Sequence, residues 1–130
     1  MFRVAELLRE KGFDHVKSVT VIDYPDKNAL RVCYHASSYE KGCCRGVIAE
    51  LCCEVDRSNP RVKSLVGVWR SAEFQEREAY EMFGVVFEGH PDLRPILLLE
   101  ELASKHPLRK DFKVVEEGYI VEYKGGGKGA

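Results

Sequence analysis

Two cysteine pairs, Cys43-Cys44 and Cys52-Cys53, are the side chains best suited to hold a metal ion or an iron-sulfur cluster, since thiolates are the usual ligands for both. Their spacing opposes a shared site. Eight residues of strand span about 26 Å, and eight of helix about 12 Å, too far for one ion to bridge. Adjacent cysteines also project to opposite faces of a strand. Small buried residues are therefore the first expectation for Cys43, Cys44, Cys52 and Cys53, redox-sensitive thiols the second and metal binding the third. The five cysteines are an odd number, and in an intracellular chain free thiols are expected rather than a disulfide framework.

The other groups able to do chemistry are more scattered. Glu76 and Glu78 suggest paired acid-base catalysis, but two apart on a helix they point about 160° from each other and share no substrate. His90 and His106 each precede a proline and stand outside any cluster, which fits packed or hydrogen-bonded histidines better than ligands. Arg94, Arg109 and Lys110 are candidate phosphate binders. Without a glycine-rich loop before a helix, however, pairing with protein carboxylates is the stronger reading. Trp69 and Tyr80 are expected in the core, with interface anchoring as the alternative. No nucleophile-base motif or phosphate loop stands in the sequence, so a standalone enzyme ranks last.

The 130 residues suffice for one domain with its own core. Charged residues make up 32% of them, yet 20 Lys and Arg nearly balance 21 Asp and Glu, so the chain carries no field to hold a nucleic acid. The longest apolar run, Pro95-Ile96-Leu97-Leu98-Leu99, falls far short of the ~18 residues needed to cross a bilayer, and charges interrupt the amino terminus where a secretory signal would be apolar. An intracellular, soluble protein is expected.

The elements that must position these residues follow from periodicity. Apolar residues at helical spacing over 2–11, with Gly12 behind them, predict a short amphipathic helix. β-Branched residues over 16–22, the turn Pro25-Asp26-Lys27-Asn28 and alternation through Leu30, Val32 and Tyr34 predict a β-hairpin. Alternation from 47 to 55 predicts a half-buried third strand, and residues 62–69 a fourth. Residues 72–83 change to helical period, with Ser71 as the expected N-cap and Gly84 as the C-cap. On this helix Glu76 falls within about 60° of Ala72, Ala79 and Phe83, with Tyr80 beside them, and so lies on the apolar stripe. An unpaired buried carboxylate costs several kcal/mol, so Glu76 is expected to be neutral or held by a cation, with Arg94, Arg109 and Lys110 as candidates. That contact reads as an internal clasp between helix and tail, as an intersubunit pair, or as a proton site. Glu73, Arg77 and Glu81, four apart on the opposite side, are expected to face water. Prolines 91, 95 and 107 predict an extended, turn-rich course, and the glycine-rich residues 124–130 a flexible tail behind a single domain of residues 1–123.

Three blocks carry a resemblance: Glu76-Arg77-Glu78-Ala79-Tyr80-Glu81-Met82-Phe83-Gly84, then Phe87-Glu88-Gly89-His90-Pro91-Asp92-Leu93-Arg94, then His106-Pro107-Leu108-Arg109-Lys110-Asp111-Phe112. In order and composition they resemble the C subunit of NADH:quinone oxidoreductase, the thirty-kilodalton subunit of respiratory complex I. Relatives of that subunit serve in membrane-bound nickel-iron hydrogenases and ferredoxin-linked complexes. The sequence departs from the family pattern at Pro95, where a second arginine is usual, and at Phe112, where tyrosine is common.

The resemblance implies an α+β fold, a small mixed β-sheet with flanking helices and an extended proline-containing C-terminal segment. It implies a structural subunit without a bound cofactor, in a complex driven by NADH, ferredoxin or F420H2. The iron-sulfur clusters and quinone, or a nickel-iron site, would reside in the hydrogenase-like large subunit and the iron-sulfur subunits. The chain would then sit peripherally, through its complex, on the cytoplasmic side of the cell membrane. The residues so marked for the fold or the subunit interface are Glu76, Arg77, Glu78, Tyr80, Phe83, Gly84, Gly89, His90, Pro91, Arg94, His106, Pro107, Arg109, Lys110 and Asp111.

Overall fold

The computed structural model describes residues 1–40, 42 and 44–113. Cys43 and the expected flexible tail at 124–130 lie outside that range. Helix α1, Phe2–Lys11, stops at Gly12, whose φ of 117° is a conformation that a side chain would resist. Strands β1 (His15–Tyr24) and β2 (Ala29–Ser37) form the expected hairpin around a single 3-10 turn, Pro25–Lys27. Strand β3, Ala49–Asp56, pairs antiparallel with β2, so the sheet order is β1-β2-β3 with β2 central.

Alternation decides which residues this sheet buries. Leu30, Val32, Tyr34 and Ala36 face the core from β2, while β3 alternates half-buried and exposed positions as its sequence predicts. A register shift between Val16 and Ser18 changes the phase of β1, so that Val21 and Asp23 turn inward and Ile22 outward.

The expected fourth strand is shorter than its composition suggests. β4 covers only Arg61–Lys63 and pairs in parallel with β5, Val86–Glu88, in a separate two-stranded sheet. Beyond Lys63 the chain turns: Val68 and Trp69 donate to Leu65 O at 3.0 and 2.8 Å, bonds a strand could not make. Trp69 is thereby driven into the core, where its indole donates to Phe13 O at 2.7 Å. The anticipated mixed sheet is thus an antiparallel sheet and a separate parallel pair, with a core of Trp69, Tyr34, Phe87, Leu30 and Leu65 beside them.

Helix α2, Glu73–Phe83, links β4 to β5 and packs on β1. Ser71 is not its N-cap. The helix is entered through a 3-10 turn, Arg70–Ala72, and the Ser71 hydroxyl instead accepts a hydrogen bond from Val16 N at 2.8 Å. Gln75 Oε1 likewise accepts from Val19 N at 2.9 Å, so two side chains of this region satisfy outward amides of the edge strand β1. Gly84, φ 83°, ends α2 as expected. The following segment is irregular apart from β5 and α3, Glu100–Ala103. No helix among the described residues is long and apolar enough to cross a membrane.

Candidate functional site: a helix that organises the proline-containing segment

Glu76 is fully buried, as its place on the apolar stripe requires. Its partners are not the expected cations. Oε1 accepts from the Tyr34 hydroxyl at 2.7 Å and from Leu65 N at 2.8 Å, and Oε2 accepts from the Ser64 hydroxyl at 2.6 Å. Ser64 Oγ in turn accepts from Val66 N at 3.1 Å, which leaves its own proton for Glu76. Among the described residues no cationic side chain pairs with this carboxylate. Arg94 pairs with Asp92, Arg109 with Phe83 O, and the Lys110 ammonium lies near the Tyr24 ring, which corrects the cation alternative and leaves the neutral one. Burial raises the Glu76 pKa, against the opposing pull of hydrogen bonds from Ser64, Leu65 and Tyr34. Burial beside this carboxylate also pushes the Tyr34 hydroxyl up.

The clasp between helix and tail exists, but the face expected in water makes it. Glu81 is 1% exposed and Arg77 7% exposed. The Glu81 carboxylate accepts from three successive amides, Ile96 N at 3.1 Å, Leu97 N at 3.0 Å and Leu98 N at 3.2 Å. Such a run of converging N–H groups is a backbone anion cradle, filled here by a side chain of the same protein. One helical turn earlier, the Arg77 guanidinium donates to Arg94 O at 2.9 Å and Pro95 O at 3.4 Å. The loop is therefore gripped through its carbonyls by a cation and through its amides by an anion. With the loop's polar backbone turned inward, Leu97 and Leu99 stand 63% and 75% exposed.

The second and third blocks hold the two ends of α2. His90 Nε2 donates to Glu73 O at 2.9 Å, while its Nδ1 accepts from Asp92 N at 3.0 Å; Gly89, φ 86°, makes the turn before it. At the other end the last carbonyls, which a helix leaves without intrahelical partners, are met in sequence. His106 Nδ1 donates to Glu81 O at 3.3 Å, Leu108 N to Met82 O at 3.1 Å, and Arg109 Nε to Phe83 O at 2.7 Å. His106 also packs against Gly84, where a Cβ would lie 2.7 Å from Nε2. Both histidines are structural hydrogen-bonding residues here.

Missed in the sequence were Tyr34 and Ser64, which hold Glu76; Glu81, which holds the loop; and the pair Asp23 and Arg57. Asp23 is 3% exposed and takes a bidentate contact from Arg57 at 2.6 and 2.9 Å, while Lys110 N donates to it at 2.8 Å. Arg57 reaches on to Asp111 at 3.2 Å. The Arg57 hydrogen bonds hold the Asp23 carboxyl below its usual range, outweighing the effect of burial. The available signal was a carboxylate in phase with Val19 and Val21 on β1. Of the remaining marked residues, Arg94 is exposed and pairs with Asp92 at 2.6 Å, Glu78 and Pro91 are exposed, and Tyr80, Phe83 and Pro107 are half-buried.

Cys33 and Cys52 depart from expectation, whereas Cys44 is buried as expected. Cys33 and Cys52, direct cross-strand partners, form a disulfide; Cys52 is exposed rather than buried. The pairing was invisible in the local sequence because 19 positions separate the two residues, and only the β2-β3 register makes them neighbours. Cys53 turns to the opposite face, half-buried against the core, where burial raises its thiol pKa. Cys44 is buried, and its Sγ donates to Lys11 O at 3.3 Å.

Fold and site together define a small α+β domain in which both ends and one charged face of a central helix shape a leucine-bearing surface segment. The chain belongs to the family of the 30-kilodalton subunit of respiratory-chain NADH dehydrogenase, whose model matches residues 1–118. It is similar to the C subunit of the F420H2 dehydrogenase of Methanosarcina mazei, 38% identical over 101 residues, which cover 78% of this chain and 61% of that protein. It is similar also to the C subunit of the NADH-quinone oxidoreductase of Moorella thermoacetica, 39% identical over 117 residues, covering 88% of this chain and 74% of the relative. Among solved structures, a trypsin-resistant fragment of Nqo5 has the same fold, with a TM-score of 0.57 and 30% identity over 70% of this chain and 74% of that one.

Proposed function

We propose that this chain is a structural, assembly-supporting subunit of the peripheral arm of a membrane-bound, ion-translocating oxidoreductase of the complex I type. In this reading it docks on a hydrogenase-like large subunit, carries no cofactor itself, and lies on the cytoplasmic side of the membrane. Iron-sulfur clusters and quinone belong to its partners. Family membership supports the kind of complex, and the names of the two relatives support NADH or F420H2 as the electron donor.

The observation that carries docking is the display of Leu97, Leu99, Leu102 and Leu108, all exposed, on a segment whose backbone is fixed from behind by Arg77 and Glu81. Exposed apolar side chains on a preorganised backbone suit an interface, because little ordering entropy remains to oppose binding. A tagged chain recovered from detergent-solubilised native membranes should bring a hydrogenase-like large subunit with it. Leu97→Asp with Leu99→Asp should abolish that recovery while leaving the melting temperature within about 4 °C, since exposed positions each contribute about 0.5 kcal/mol or less to folding. Full recovery with the double variant would refute docking through this surface. Nickel in the recovered complex would reassign it to a membrane-bound hydrogenase.

A further inference from the structure

Three cross-strand pairs run in register along the outer face of β2 and β3: Arg31 with Glu54, Cys33 with Cys52, and His35 with Glu50. The flanking pairs are each closed by a contact at 2.9 Å, and between them lies the disulfide, with Cα atoms 4.1 Å apart. Its two sulfurs differ in access. Cys33 sits on the central strand and is 3% exposed, whereas Cys52 sits on the edge strand and is open to solvent. The bond is also on the opposite side of the sheet from Leu30, Val32 and Tyr34, and neither cysteine belongs to the core cluster that those residues build. The ladder from Ala29–Asp56 to Ala36–Ala49 holds the two strands in register with or without it.

We propose that Cys33 and Cys52 are a reversible thiol-disulfide couple that exchanges with low-molecular-weight thiols, with Cys52 as the sulfur attacked. A small thiolate attacks Cys52 Sγ, forming a mixed disulfide there and expelling Cys33 as a thiolate. A second thiolate attacks the sulfur of the bound small molecule, releases a small disulfide and leaves Cys52 as a thiolate. The two protons given up by the attacking thiols end on Cys33 and Cys52. One protein disulfide and two small thiols thus become one protein dithiol and one small disulfide, with two electrons passing to the protein. Shielding of Cys33 makes this route directional: the reagent reaches the edge-strand sulfur, and the buried sulfur is the leaving group.

The test uses the full chain in its native complex, equilibrated in glutathione buffers of increasing reduced fraction and quenched with acid. Free thiols are alkylated with light N-ethylmaleimide, disulfides are then reduced and alkylated with the heavy reagent, and peptides are weighed. Cys33 and Cys52 should exchange label together as one two-electron couple while Cys53 stays light throughout. In oxidised glutathione, Cys33→Ser should capture glutathione at Cys52, and Cys52→Ser should capture at least tenfold less at Cys33. The proposal is overturned if both residues label as thiols in the most oxidising buffer, stay bonded in the most reducing one, or titrate independently. Capture at Cys33 in preference to Cys52 also overturns it. So does a stoichiometric zinc ion that protects both thiols, an arrangement the Glu50 carboxylate within 4.8 Å of the sulfurs would permit.

Discussion

Replacing Glu81 by alanine tests whether the charged face of α2 shapes the leucine-bearing loop. The substitution removes the acceptor for Ile96 N, Leu97 N and Leu98 N at once. Hydrogen bonds to a charged group each contribute about 1.5–3 kcal/mol, which sets an upper bound of about 9 kcal/mol for three. The substitution opens space beneath a surface loop, and water entering that space meets the released amides, which recovers most of that bound. A net loss of about 2–3 kcal/mol in the local opening free energy is the consequent expectation. Native-state hydrogen exchange at the three amides should accelerate about 30- to 150-fold, since 1.4 kcal/mol is a factor of ten. Amides of the central strand, such as Val32 and Tyr34, should keep their protection. Unchanged exchange at the loop would refute the clasp. Equal acceleration everywhere would show that Glu81 supports the fold as a whole and not the loop in particular.

Glu76→Ala should lower stability by about 3–5 kcal/mol in denaturant unfolding, because a buried acceptor of three donors is removed and a cavity left. Glu76→Gln should retain most of it, with the amide donating to Ser64 Oγ. The raised Glu76 pKa makes wild-type stability decline as pH rises from the ordinary value of 4.5 through the higher folded one, and the Gln variant should lack that decline in a pH series. Asp23 acts with the opposite sign: its folded pKa is depressed, so its contribution is present above pH 3.8 and is lost as pH falls below that value. Asp23→Asn should therefore destabilise at pH 7 and lose the corresponding part of the acid transition measured by circular dichroism. Gly84→Ala should cost about 2–3 kcal/mol, from its φ of 83° and from contact with His106; in a His106→Ala background the increment should fall to about 1–2 kcal/mol, the backbone part alone.

Much of the fold was written locally. The hairpin, the alternation of β3, both glycine-terminated helices and the burial of Glu76 follow from period and turn chemistry, which are properties of short stretches. The three blocks of the resemblance were visible as blocks, but their joint purpose was not. The structure makes them one device, in which α2 is held at its start by His90 and at its end by His106 and Arg109.

Other features depended on which remote segment arrives where. A helix wheel orients Glu76, Arg77 and Glu81 relative to one another, but a wheel has no outside until the rest of the chain is placed. The proline-containing segment covers the face that looked solvated, so Arg77 and Glu81 became buried partners of a backbone. Glu76, expected to be neutral or beside a cation, met a tyrosine, a serine and an amide. The register of β2 against β3 likewise chose Cys33 as the partner of Cys52, where the sequence drew attention to adjacent cysteines. Sequence alone determined which residues could not stay in water, because hydrophobic period is local. Tertiary structure decided what Asp23, Cys33, Glu76 and Glu81 meet, because their partners lie from 11 to 87 positions away along the chain.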